Sequence, residues 1–320
     1  MTLENSDATY IDNTLELDSA DAIIFDCDGV LVDVTKSYDS AIDKTASYIL
    51  ENNYSIQPVR IDSKIIEGFK ATGGFNDEVD LTYAAILSIY AADELGKDKN
   101  QFIFTVIDNA DHTGIVSVEN YLNSLIDISK IKQELDYPGL HHKSPLYKTF
   151  DQLFYGPILY HKLFKQTSDF IEPGFIENDY VIVSDKLLDT LQKKFGKKIA
   201  IVTGRGFESI RYSLKNLMDK FDVKHSAFLE DESRELAKPN PEALIRTIEN
   251  IGSSNTIYVG DSMEDLIMAK EATKMGHDTT FCGITGTSSN PEKKLKLFRD
   301  AGSKLVLDSI NNLPKVLNLD

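Results

Sequence analysis

Short, unbroken apolar runs recur along the chain, and each stops at Asp, Gly or Thr. Ala22-Ile23-Ile24-Phe25 runs into Asp26, and Ile199-Ala200-Ile201-Val202 runs into Thr203-Gly204. Ile257-Tyr258-Val259 precedes Gly260-Asp261, Thr280-Phe281-Cys282 precedes Gly283, and Leu305-Val306-Leu307 precedes Asp308. Runs without polar alternation fit strands covered on both faces, as in a parallel sheet. Between them, apolar positions fall at helical spacing. Residues 185–195 place Leu187, Leu188, Leu191 and Phe195 on one stripe, with Gly196 as the stop. Residues 207–219 and 241–250 read the same way, the second opening on Pro241, a favoured first-turn residue. Strand and helix alternating in this manner predict a doubly wound α/β sheet, whose ligands bind at the carboxyl ends of the strands. The polar residues that close the apolar runs fall at those ends.

The first of these strands is separated from the others by residues 34–174, where the pattern changes. Tyr38, Ala41, Ile42, Thr45, Tyr48 and Ile49 share a helical stripe, as do Tyr83, Ile86, Leu87 and Tyr90, and again Val118, Tyr121, Leu122 and Leu125. Phe102-Ile103-Phe104-Thr105-Val106 fits helix or strand. An insertion of this length can fold as a domain of its own. The expected organisation is an extension over residues 1–20, an α/β core over 21–33 and 175–320, and a mainly α-helical cap over 34–174.

Composition narrows the class. With 42% hydrophobic and 27% charged residues the chain has the balance of a soluble globular protein. No run is long enough to span a bilayer, and the first twenty residues, acidic and polar, do not make a secretory signal. They read as a loosely held extension. A formal charge of -17 opposes non-specific nucleic-acid binding, which needs a basic footprint. Cys27 and Cys282 lie far apart and lack metal-ligand spacing, which suits a reducing cytoplasm. The histidines form no zinc pattern, and the adjacent His141 and His142 read as ordinary surface residues.

The candidate chemistry begins at Asp26-Cys27-Asp28-Gly29-Val30. Extended chain has period two, so Asp26 and Asp28 leave on one side and Cys27 on the other, into the core. Two carboxylates facing one site repel unless a cation or proton compensates, and a hard ion such as Mg²⁺ does so when a phosphate shares it. Taken alone, the segment is equally a strand ending in an Asp-Gly turn. Thr203-Gly204-Arg205 offers a hydroxyl and backbone amides to phosphate oxygens. Lys238, in Lys238-Pro239-Asn240-Pro241, offers a fixed ammonium. Gly260-Asp261-Ser262-Met263-Glu264-Asp265 sets Asp261 and Asp265 four apart, on one side of a helix start. Acids there are also ordinary helix caps.

These four segments, in this order and each after an apolar strand or before a helix, resemble the four motifs of the haloacid dehalogenase superfamily. The resemblance covers residues 21–33 and about 178–320, and the insertion is similar to the helical type-one cap of that family. It implies an Mg²⁺-dependent phosphatase acting on a small phosphorylated metabolite. By the resemblance, Asp26 is the nucleophile that becomes an aspartyl-phosphate, and Asp28 is the general acid and base. Thr203, Gly204 and Lys238 hold the phosphoryl group. Asp26, the Asp28 backbone carbonyl and Asp261 bind the metal, with Asp265 in direct contact or behind them. Ser262 is the weaker candidate for a metal ligand. Arg205 is divided between substrate contact and a structural salt bridge, and Asp33 is expected to cap the helix that follows it. The Gly73-Gly74 turn falls where type-one caps often carry a specificity loop, which makes Lys70, Asn76 and Asp77 candidates for substrate contact. A plain helix–helix connection is the other reading of that turn.

The two acids of the first motif favour a phosphatase over a dehalogenase, which normally lacks the second acid and needs no metal. A phosphomutase would keep every one of these residues and stays open, as does a binding protein on the same fold. None of the nucleophile, lysine or metal carboxylates is missing, which favours catalysis.

Overall fold

The structure is a computed structural model that describes residues 9–75, 77–141 and 143–319. The chain divides into two compact units, one of residues 1–35 and 179–320 and one of residues 36–178.

The second unit is helical. It contains α1 (Thr35–Tyr54, entered from the last residue of the first unit), α2 (Ser63–Ala71), α3 (Glu78–Glu94), α4 (Lys99–Asp108), α5 (Ile115–Asn123), α6 (Ser129–Leu135) and α7 (Pro145–Phe164). Helix α3 is buried nearly all round, from Val79 and Leu81 to Ala91 and Ala92, and α2, α4, α5 and α7 pack against it. Asp62, Asp77 and Asp98 cap the starts of α2, α3 and α4 by accepting backbone N–H bonds, which satisfies amides that have no partner within the helix. The ambiguous run 102–106 lies in α4, where Phe102, Ile103, Val106 and Ile107 are buried as a helical stripe. His141, expected at the surface, is half-buried: its ring stacks on Tyr147 at 3.9 Å between centroids, and its Nδ1 lies 3.0 Å from Asp151 Oδ2. His142 lies outside the described residues.

The first unit is built on a seven-stranded sheet. Its strands are β1 (Tyr10–Ile11), β2 (Ala22–Phe25), β5 (Ile199–Thr203), β6 (Ala227–Phe228), β7 (Thr256–Gly260), β8 (Thr279–Ile284) and β9 (Leu305–Leu307), while β3 (Val32–Asp33) and β4 (Tyr180–Val181) pair separately as an antiparallel ribbon. The spatial order is β1-β9-β8-β7-β2-β5-β6, parallel throughout except that β1 runs antiparallel to β9. Within the stretch read as an extension, Tyr10 and Ile11 therefore form an edge strand, paired to Val306 and Leu305.

Alternation along β2 divides the core. Ile23 and Phe25 belong to one apolar layer with Leu187, Leu188 and Leu191 of α8 (Asp185–Phe195), Ile210 and Leu214 of α9 (Phe207–Leu214), and residues near the carboxyl end of the chain. Ala22 and Ile24 belong to the other, with α10 (Glu242–Ile251), α11 (Met263–Lys274) and α12 (Pro291–Asp300). The sheet is thus covered on both faces, the α/β fold that unbroken apolar runs predict. Helix α9 is shorter than its periodicity suggested, because residues 215–220 tighten into a 3-10 turn. A short α13 (Leu313–Val316) closes the chain.

Candidate active site

Asp26 leaves the end of β2 with its amide still donating to the Val259 carbonyl of β7, at 2.8 Å. The backbone at Asp26 is thereby still tied to the sheet. Beyond it the chain turns sharply: the amides of Val30, Leu31 and Val32 all donate to the Cys27 carbonyl. Cys27 keeps the parity of Ile23 and Phe25 and is fully buried in their layer. Burial, with Asp28 close by, pushes its thiol well above the usual range, so it is a packing residue and no nucleophile. Gly29 has φ of 72°, and a Cβ there would lie 2.4 Å from Asp261 Oδ2. Only glycine tolerates both that conformation and that approach.

Asp26 has the parity of Ile24 and faces the other layer. There Lys238 Nζ lies 2.9 Å from Asp26 Oδ1 and 2.7 Å from Asp265 Oδ1, with the ammonium and both carboxylates almost wholly buried. Asp265 is fixed by its helix. Ser262 is the N-cap of α11 and forms a capping box with Asp265. Asp265 Oδ2 accepts from the amides of Asp261 and Ser262 at 3.1 and 3.0 Å and from Ser262 Oγ at 2.7 Å. The Tyr258 hydroxyl adds a bond to Oδ1 at 2.8 Å. Both oxygens of Asp265 are therefore heavily engaged, and Ser262 serves as a cap.

Carboxylate oxygens of Asp26, Asp261 and Asp265 lie within 4.8 Å of one another. Such a set of hard oxygen donors fits a divalent cation like Mg²⁺. Each of the three could offer it an oxygen, although both oxygens of Asp265 already accept other hydrogen bonds. Lys294 Nζ bonds Asp261 Oδ2 at 2.7 Å.

The electrostatics follow from burial. Burial drives the Asp26 carboxyl well above the carboxylate range; Lys238 opposes this, while Asp265 and Asp261 add to it. Burial also disfavours a charged Asp265, but Lys238 together with the Ser262 and Tyr258 hydrogen bonds outweighs it and holds that carboxyl low. For Lys238, burial is overcome by the two carboxylates, and the amine stays protonated. With all three ionised, the two ammoniums of Lys238 and Lys294 leave one negative charge in excess among the carboxylates, and Asp26 is the one whose ionisation burial opposes most.

The Asp28 side chain does not join this group. Its Oδ1 accepts from Arg205 NH1 at 3.1 Å. Arg205, divided by sequence between substrate contact and a structural salt bridge, is buried and bonded to Asp28, Asp179, Ser209 and Ser213. Thr203 ends β5 and accepts the Arg205 amide at 3.4 Å. The Gly206 and Phe207 amides, at the start of α9, donate to Glu230 and Asp231 at 2.8 and 2.7 Å. Thr203 and the exposed Gly204 are what that motif can still offer a phosphate. Lys70, in the helical unit, pairs with Glu78 at 3.1 Å across the α2–α3 connection, and Asp77 is the cap of α3. Asn76 lies outside the described residues.

Sequence reasoning missed Asp179, Tyr258 and Lys294. Tyr258 carried a usable signal, since a phenol inside an apolar strand must find a partner for its hydroxyl.

The architecture has counterparts among known proteins. A haloacid dehalogenase-like hydrolase family model matches residues 160–273, so the resemblance carried by the motifs is borne out. Phosphatase Tt82 from Thermococcus thioreducens superposes with a TM-score of 0.59 at 21% identity, over 88% of this chain and 99% of that one. A protein from Bacteroides fragilis described as a haloacid dehalogenase-like hydrolase gives 0.50 at 16% identity, over 92% and 99%. A predicted phosphoglycolate phosphatase from Haemophilus somnus 129pt gives 0.50 at 12%, over 94% and 99%. No curated protein sequence matches the chain. The chain has the fold of haloacid dehalogenase-like hydrolases.

Proposed function

We propose that the chain is an Mg²⁺-dependent phosphatase that hydrolyses a small phosphorylated metabolite through a phosphorylated Asp26. The observation that carries this reading is Lys238 held between Asp26 and Asp265, with Asp261 completing a three-carboxylate cluster. A cation bound by Asp26 and Asp261 would neutralise the excess charge and draw phosphate oxygens into place. The Asp26 carboxylate attacks phosphorus as the ester P–O bond breaks, and Asp28 gives its proton to the departing oxygen. Water then attacks the aspartyl-phosphate, Asp28 takes its proton, and the bond from Asp26 to phosphorus breaks to release phosphate. Lys238 counters the charge that develops on the phosphoryl oxygens, and Thr203 and Gly204 hold that group.

The phosphatase descriptions of the Thermococcus and Haemophilus proteins support the choice of reaction. The formal charge of -17 disfavours a polyanionic partner. Two free, buried thiols agree with a cytoplasmic protein, and no helix among the described residues is long and apolar enough to cross a membrane. The decisive experiment is phosphate release from a panel of small phosphoesters, with and without Mg²⁺, beside Asp26→Asn. Metal-dependent release that the substitution abolishes supports the reading. Near-normal turnover by Asp26→Asn defeats it.

A further inference from the structure

Arg205 has more partners than a structural ion pair requires. Its NH1 donates to Asp28 Oδ1 at 3.1 Å and to Asp179 Oδ2 at 3.0 Å. Its Nε and NH2 donate to Ser209 Oγ at 3.0 and 2.8 Å, and NH2 also reaches Ser213 Oγ at 3.3 Å. The Ser213 hydroxyl in turn donates to Asp179 Oδ2 at 2.7 Å. Asp179 is buried, with 3% of its side chain exposed, whereas Asp28 is 27% exposed.

The guanidinium is planar, and its donors leave in fixed directions. Ser209 and Ser213 on α9, with Asp179 beside the β3–β4 ribbon, therefore set its orientation from the buried side. Asp179 already balances its charge. The other NH1 bond goes to the more open carboxylate, two residues after Asp26, and anchors one oxygen of that carboxyl. We propose that Arg205, braced by Asp179, Ser209 and Ser213, is a positioning residue that aims Asp28 for proton transfer. The inference rests on the phosphatase reading: Asp28 protonates the ester oxygen as the P–O bond breaks, then takes a proton from the attacking water. A carboxyl left to rotate loses both steps, whereas attack by Asp26 does not depend on Arg205.

That separation sets the test. An alkyl phosphate needs its leaving oxygen protonated; p-nitrophenyl phosphate releases p-nitrophenolate, which leaves as a stable anion. Arg205→Lys retains the charge and loses the fork, and rapid mixing of the full-length protein with Mg²⁺ and each ester reads the two steps. Turnover of the alkyl phosphate should fall about 10²-fold, the usual scale of general acid–base assistance. The first equivalent of p-nitrophenolate should appear at nearly the wild-type rate and be followed by slow turnover, a burst that a purely structural defect would not create. Ser213→Ala, which removes one bond bracing Arg205 and one to Asp179, should shift both readings in the same direction by less, and it carries the test if Arg205→Lys does not fold by circular dichroism. Equal losses on both esters without a burst, or no loss on either, overturn the inference. Metal-dependent release surviving in Asp26→Asn would remove the phosphatase reading and this inference with it. Asp26→Asn inactive and Arg205→Lys equally impaired on both esters with no burst would overturn the positioning role alone.

Discussion

A buried ammonium shared by two carboxylates is costly to disturb, because removing it leaves charges without water or counterion. Lys238→Met should therefore lower stability by about 3–5 kcal/mol, as well as abolishing activity. Tyr258→Phe keeps that charge balance and removes only the hydroxyl on Asp265 Oδ1. A hydrogen bond to a charged group is worth roughly 1.5–3 kcal/mol, so this substitution should cost less. Urea unfolding of the two variants checks the order; a Lys238 variant no less stable than the Tyr258 variant would contradict the charge argument. The contrast also explains which site residues could be read from sequence. Asp26, Thr203 and Asp261 each follow an apolar strand, and Lys238 precedes a helix, so local context marked them. Tyr258 was hidden in an apolar run by its own ring. Asp179 and Lys294 matter only through Arg205 and Asp261, residues that folding brings to them and that no local pattern announces.

Between elements, Asp21 is the clearest staple. It stands just before β2 and accepts from Lys198 Nζ at 2.7 Å, from Ser253 Oγ at 2.7 Å, and from the amides of Ser254 and Asn255. It thereby ties the starts of β2, β5 and β7. Burial opposes its charge, but Lys198 and the Ser253, Asn255 and Ser254 bonds outweigh that and hold the carboxyl down at about 2, from 3.8. A folded value below the unfolded one stabilises the protein above about pH 4, and that contribution disappears as pH falls through about 2. Asp21→Asn should thus lower the urea midpoint at neutral pH, with the gap to wild type closing toward pH 2. A gap independent of pH would rule the carboxylate out as its source. Ser262→Ala, which removes the α11 cap, should cost about 1 kcal/mol at neutral pH. The strands that sequence missed share a feature: β1, β3, β4 and β6 are two residues long. Two residues have no period, and only their partners make them strands. The run 102–106 was ambiguous for another reason, since its β-branched and aromatic types favour strands while its spacing buries a helical stripe. Longer segments, such as 185–195 and the runs that became β2, β5 and β7, carried enough repeats to be read directly.

For the molecule as a whole, the question is how much of its stability depends on the cation. The chain carries a formal charge of -17, and three of its carboxylates converge around one buried ammonium. Any salt screens the general repulsion among surface acids and raises stability modestly. A cation bound by Asp26 and Asp261 acts differently, because the unfolded chain does not assemble the cluster. Binding to the native state alone stabilises by RT ln(1 + [L]/Kd), about 2.7 kcal/mol at a hundredfold excess over Kd. Melting temperature should therefore rise with MgCl2 beyond the rise given by NaCl at matched ionic strength. In Asp261→Asn the extra rise should largely vanish and the screening component remain, since that substitution removes a ligand charge and touches only one of the surface acids. Asp265→Asn should reduce the extra rise less than Asp261→Asn if both oxygens of Asp265 serve Lys238, Tyr258 and the α11 cap, as their bonds indicate. Equal melting curves in MgCl2 and matched NaCl would exclude a specific site, and they would do so without reference to turnover. A rise that survives Asp261→Asn unchanged would move the cation elsewhere in the molecule.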